Sequence, residues 1–249
     1  MVRFAEQANK SAKALSTTTT DYTKASLIYY QQGLSDSEVQ ARTDITIKMA
    51  NAAGQSAQIV SDQMTAVWNN FDDGSKSLEY YADVMTALGA ATASSTDEIA
   101  TGLEKFAAVS ETVGLSYEYA TAALATVTDK TRQSADVVGT AFKTMFARIQ
   151  GLELGETLED GTTLNDYSEA LAKVGVNIKD ANGELKDMDN VLNEMAVVWE
   201  TLNRDEKVAL AQKVAGVRQY NQLMSLMENW DAMEMNLEIA FDSEGTLQE

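Results

Sequence analysis

The 249-residue chain contains no histidine, no cysteine and no proline. Without the first two there is no Ser-His-Asp or Cys-His machinery, no imidazole general base, no thiolate zinc site and no disulfide. Only carboxylate, Lys, Tyr, Ser or Thr chemistry remains. The lack of cysteine is silent on redox compartment, because a helical protein without it folds in either. Ordinary usage would place roughly a dozen prolines in this length, so their absence permits long helix everywhere. No window approaches the roughly 18–20 unbroken apolar residues of a membrane span, and no basic-then-apolar leader opens the sequence. The reading therefore expects neither a span nor a signal peptide.

What is present is enough apolar material for a core, at 45%, with 23% charged residues. The net charge of −19 is uneven. Residues 1–149 carry 12 Lys/Arg against 17 Asp/Glu, and residues 150–249 carry 7 against 21. So acidic a carboxyl-terminal part is repelled by nucleic acid and by anionic lipid, and no direct nucleic-acid binding is expected.

Periodicity predicts a mainly α protein. Residues 1–20 read as a helical stub and a polar joint, followed by a segment at 22–32 ending at Gly33. Ser35 and Glu38 have the spacing of a capping box, which opens a helix over 36–53 closed by Gly54. From Ser56 to Gln150 helix starts recur at Ser56, Ser77, Thr96, Ser116 and Ser134, each a residue type whose oxygen caps a helix. Apolar stripes follow each start, such as Val60, Met64, Val67, Trp68 and Phe71, or Val138, Phe142, Met145, Phe146 and Ile149. Gly74, Gly89, Gly114 and Gly151 stand at the expected breaks. The pattern predicts an array of packed helical hairpins with Trp68, Phe106, Phe142 and Phe146 inside.

Residues 151–165 hold three glycines and several acids without periodicity and read as a flexible acidic loop. A short helix at 166–173 then leads to 176–186, where alternation around Asn182-Gly183 predicts one short β-hairpin with a type I′ turn. Further helices carry Val191, Met195 and Val198, then Val208, Ala211 and Val214, then a Met-rich acidic end. Four segments result: an N-terminal stub and joint over 1–35, the array over 36–150, the loop over 151–165, and an acidic helical subdomain with the hairpin over 166–249.

Candidate chemistry is sparse. Asp180, Asn182, Glu184, Asp187 and Asp189 are the richest set of oxygen ligands, but Gly183 falls at position four of the run where a calcium loop needs it at six. Asp72-Asp73-Gly74 and Glu159-Asp160-Gly161 read as helix or loop ends, since paired carboxylates carry hydrolysis only when a fold converges them on a pocket. No phosphate loop or nucleotide fingerprint is present, and no catalytic, metal or cofactor residue is assigned. Two groups suit an interaction surface: Met224, Met227, Met233 and Met235 with Trp230, as adaptable thioethers, and Arg218 with Tyr220 after Gly216. Core packing for the methionines and a tie between helix ends for Arg218 are the structural alternatives.

Several stretches are also familiar as a set: Gly114-Leu115-Ser116, Ala122-Ala123-Leu124, Gly139-Thr140-Ala141-Phe142, Val174-Gly175-Val176, residues 182–187, and Ala215-Gly216-Val217-Arg218-Gln219-Tyr220-Asn221. In this order they resemble the central region of tail tape-measure proteins of long-tailed bacteriophages and their prophage relatives. That resemblance implies a long helical protein in the lumen of the tail tube, made in the host cytoplasm, which sets tail length during assembly and leaves during genome ejection. It implies tail tube protein, tail assembly chaperones, tail-tip proteins and self-association as partners, with host-envelope contact through other parts of a longer protein. It carries no catalytic residues. A helical interaction scaffold of a related contractile or secretion system, and a carboxylate-dependent cell-wall hydrolase, are the alternative functions.

Overall fold

A computed structural model describes residues 2–248 of the chain; Met1 and Glu249, the outermost positions of the first and last expected segments, lie outside them. The described residues form thirteen α-helices and a short 3-10 turn at Thr246–Gln248. The first three are α1 (Val2–Ala14), α2 (Thr19–Gln31) and α3 (Asp36–Ala53). Next come α4 (Ala57–Phe71), α5 (Leu78–Ala91), α6 (Thr96–Thr112), α7 (Tyr117–Thr131) and α8 (Ala135–Glu153). The remainder are α9 (Leu164–Ala172), α10 (Met188–Trp199), α11 (Arg204–Ala215), α12 (Tyr220–Glu228) and α13 (Trp230–Phe241).

Helix starts obey local chemistry. Ser35 and Glu38 close a capping box at α3, and Gly54 ends that helix at φ 65°. The hydroxyls of Ser56, Ser77 and Ser116 accept the backbone N–H three residues on, as N-caps do. At α6 the cap is Ser95, one residue before the expected start, and Glu98 completes a capping box with it. Two of the expected glycine breaks fall inside helices. Gly89 lies inside α5 and Gly151 inside α8, because burial against neighbouring chain compensates for glycine's poor helix propensity. The expected joint at 16–20 is also shorter, since Thr18 caps α2 by accepting from Asp21 N.

The helices do not pair simply in sequence order. α6 lies between α4 and α8, and α7 and α5 hold α13. The α6–α8 crossing is tight because both faces carry glycine: a Cβ on Gly139 would stand 2.5 Å from the Gly102 carbonyl oxygen. Phe106, Phe142 and Phe146 fill the same layer, with the first two ring centroids 5.4 Å apart and edge to face. Trp68 and all three phenylalanines are buried. One continuous core runs from Tyr29 to Ala240, so the array and the acidic carboxyl-terminal helices share it. A second, small core joins Ala8 and Ala12 to Tyr22, Ala25 and Ile47.

The expected β-hairpin is reduced to a turn. No strand occurs among the described residues; a single antiparallel bridge pairs Lys179 with Leu185. Gly183 N donates to Asp180 O at 3.1 Å and Asp180 N to Glu184 O at 2.8 Å. Gly183 has φ 86° but Asn182 does not enter the positive-φ region, so the turn is a three-residue loop closed by Gly183 and not type I′. Asp180 explains the difference, because its carboxylate accepts from Asn182 N at 2.8 Å and Glu184 N at 3.0 Å and ties the loop from within. The segment between α8 and α9 is likewise pinned: Leu158 N donates to Thr162 O, and Asp160 accepts from Thr162 N and Arg148.

Candidate functional site

The seven residues expected to form an interaction surface separate by helical phase. On α12 and α13 the inward stripe is Leu223, Leu226, Met227, Met233, Asn236 and Ala240. Asn236 Nδ2 donates to Thr126 Oγ1 of α7 at 2.8 Å, which fixes the rotation of α13. Met227 on α12, at 2% exposure, and Met233 on α13, at 0%, are core residues, not surface. Tyr220, Met224 and Trp230 are half-buried at the rim. Of the seven, only Arg218 and Met235, the latter 64% exposed, face outward. Arg218 makes no ion pair among the described residues. The helix ends are tied instead by Arg148, which bonds Asp160 at 3.0 Å and the Lys213 carbonyl at 3.4 Å beneath Gly216.

A different site emerges where three loops meet. The end of α4, the α6–α7 connection and the start of α10 enclose an open cleft with a cavity of about 510 Å³. Six carboxylates line it: Asp72, Asp73, Glu111, Glu118, Asp187 and Asp189. Lys76 is the one basic side chain there. Each acid reaches the cleft for a local reason. Asp72 and Asp73 cap the turn after α4 by accepting from Gly74 N and Ser75 N. Glu118 sits in the first turn of α7, and Asp187 and Asp189 flank the start of α10, positions that the helix dipole favours for anions.

The α10 start is docked by backbone. Met188 N donates to Val113 O at 3.0 Å, and Asp189 Oδ1 accepts from Ser116 N at 3.1 Å. Gly114, at φ 65°, allows the approach, because a Cβ there would stand 2.3 Å from Asp187 Oδ1.

The floor and wall are aromatic. Tyr81 and Tyr117 meet edge to face at 4.9 Å, and Phe71 lies 5.3 Å from Tyr117. Tyr80 OH donates to Glu118 Oε1 at 2.6 Å, and the Lys76 ammonium rests 4.6 Å from the Tyr80 ring centroid. Burial, then the Glu118 contact, pushes the Tyr80 hydroxyl up and keeps it a donor. Burial also pushes the Asp189 carboxyl up to about 6; the Ser116 hydrogen bonds oppose this, while Asp187 and Glu118 add to it. None of the six acids is in an ion pair among the described residues, and no group there is placed to hold a metal ion.

Sequence spacing could not have found this site. Asp72-Asp73 and Asp187/Asp189 lie more than a hundred residues apart; the first pair reads as a helix end, and the second falls with Asp180, Asn182 and Glu184 in the candidate ligand set. What could have pointed to it is that Glu111, in the last turn of α6, and Glu118, in the first turn of α7, flank Gly114.

With that geometry in place, comparison with known proteins defines the class: residues 6–216 match the phage-related minor tail proteins. The chain belongs to this family, and is thus a structural component of the phage tail. The match contains the whole cleft and stops before α12 and α13. No solved structure matches the chain. No helix among the described residues is long and apolar enough to cross a membrane.

Proposed function

We propose that this chain is a helical domain of a tail tape-measure protein, acting in tail assembly and length determination inside the tail tube and leaving with the genome. The observation that carries this reading is the family match over residues 6–216, laid on a fold made almost wholly of helix. Tail tube protein, assembly chaperones, tail-tip proteins and further copies are its partners, met through the half-exposed rim of Tyr220, Met224 and Trp230 and the outward Arg218 and Met235. A single helix of this length would span roughly 370 Å at 1.5 Å per residue, and the folded chain spans far less. Length is therefore measured by more chain than this domain supplies. Quantifying the protein in intact particles and in particles emptied by ejection tests the reading. Loss on emptying is expected; full retention would sink it.

A carboxylate-dependent cell-wall hydrolase is the second reading. One observation favours it, the convergence of six acids on a cleft where Asp189 holds its proton to about pH 6. Release of soluble fragments from purified peptidoglycan, abolished by Asp189→Asn, would establish it over the structural role.

A further inference from the structure

We infer that α1 is an exchangeable arm: the α1–α2 joint straightens into continuous helix, and the arm then takes the same seat on a second copy of this chain. The inference rests on the joint and stands apart from any role in a tail. The turn that ends α1 holds a residue poorly suited to it. Leu15 N donates to Ser11 O and Thr17 N to Ala12 O, both at 2.9 Å, an ending in which the residue between them turns left-handed and is usually glycine. Here it is Ser16, at φ 54°. A helical Ser16 would shed that strain. No glycine or proline stands between Val2 and Gln31, so one helix over that span is open to the chain, roughly 45 Å long.

The two helices are already phased as one. Ala8, Leu15, Tyr22 and Tyr29 stand seven residues apart, with Ser11 and Ala12, then Ala25 and Ser26, three and four places after Ala8 and Tyr22. These are the residues that α1 and α2 turn inward. Helices merely joined by a turn need share no register, whereas this stripe crosses the joint in phase. The run Thr17 to Thr20, with its lower helix propensity, opposes straightening, so the joint is balanced between two forms.

The seat selects the occupant. Through Ala8 and Ala12, α1 packs on Tyr22, Ala25 and Ile47, apart from the main core. A cavity of about 160 Å³ lies beside Gln7 and Ala8 and one of about 350 Å³ beside Thr17, so little contact holds the arm. Straightening bares the stripe of the arm and empties its seat together. The arm of a second copy fits that seat by identity, and reciprocal exchange remakes the arm's contacts outside the joint.

Light scattering of the full chain, equilibrated at high concentration and separated by size, tests this. Monomer with a minor dimer is expected. Two joints straighten per dimer, so Ser16→Ala, which favours helix, should raise the dimerisation constant by about tenfold. Ser16→Gly accepts the turn without strain and should lower it by about tenfold. Arg132→Ala is the control: Arg132 ends α7 at φ 57°, but α7 and α8 both lie in the main core, so the constant should not change. Asn9→Cys with Thr19→Cys, replacing side chains that bond at 3.3 Å, reports the exchange in this cysteine-free chain. On oxidation the monomer should close a bridge within its chain and the dimer a bridge between chains, which a denaturing gel separates. A strictly monomeric Ser16→Ala chain, equal dimerisation by the two Ser16 variants, or an equal rise with Arg132→Ala would overturn the inference. So would dimers whose bridges stay within each chain.

Discussion

Gly139 of α8 and Gly102 of α6 are in backbone contact, so that a single methyl group on Gly139 would stand 2.5 Å from the Gly102 carbonyl oxygen. No flexible side chain can yield there. Gly139→Ala is expected to destabilise the protein by about 3 kcal/mol, the cost of overpacking a rigid crossing. Gly155→Ala, at φ 83° with nothing near its Cβ, should cost only roughly 1 kcal/mol of backbone strain. Urea denaturation of the two variants gives the comparison; equal effects would mean that the crossing is looser than this geometry.

Asp189 makes stability depend on pH with a definite sign. Its carboxyl goes from an ordinary value of 3.8 to about 6 on folding, so between those values the native state binds the proton more tightly than the unfolded chain. Its contribution to stability is complete below about pH 3.8 and is lost as pH rises through 6, by roughly 2 kcal/mol after allowance for partial exposure. Burial of Glu153 acts in the same direction. Asp160 and Asp166, held down by their hydrogen bonds, lose their contribution only in more acid solution. Asp189→Asn keeps an oxygen for Ser116 N and should flatten the profile between pH 4.5 and 7, as thermal melts across that range would read directly.

Asp83 is a buried carboxylate on α5 that accepts from Gly245 N at 2.9 Å and Leu247 N at 2.8 Å, and so fastens the carboxyl-terminal turn to the core. Replacing it with alanine leaves two backbone donors unmet. Amide exchange at Gly245 and Leu247 should accelerate while the amides of α6 keep their protection. Uniform acceleration across the chain would instead show that the turn is integral to global stability.

The two faces of α13 should separate cleanly under mutation. Met233→Ala opens a cavity in the core and is expected to cost about 2–4 kcal/mol. Met235→Ala, on the outside, should change stability by less than about 0.5 kcal/mol. In tails, a photo-crosslinker at 235 should reach a neighbouring chain and one at 233 only this chain.

How far the sequence could be read depended on the range of the interaction involved. Capping is local, so Ser35, Ser56, Ser77 and Ser116 mark their helices correctly, and the apolar stripes find Trp68 and Phe142 in the core. Glycine is ambiguous on sequence alone: Gly54 ends a helix, whereas Gly89 and Gly151 are carried through one by the packing around them. The Asn182-Gly183 pair suggested the wrong turn because the side chain of Asp180, two residues earlier, supplies hydrogen bonds that a ladder would otherwise provide. Met233 and Met235 carry the same residue-level signal; only the phase of α13, set by Asn236 against Thr126, places one inside and one outside. The cleft was illegible because its acids meet through the docking of α10 on Gly114, a contact across more than seventy positions.

The small core under α1 has a mechanical consequence. Ala8 and Ala12 offer little area to Tyr22, Ala25 and Ile47, and this cluster is separate from the continuous core that holds the later helices. Tension applied at the amino end is resisted first by those alanine contacts and by the Asn51 side chain on the Leu15 carbonyl, at 2.9 Å. The chain is therefore built to yield in sequence, with α1 peeling away at low force and the α6–α8 crossing holding longest. An optical-tweezers trace would record this as a small early step ahead of the main rupture, and a single all-or-none event would contradict it.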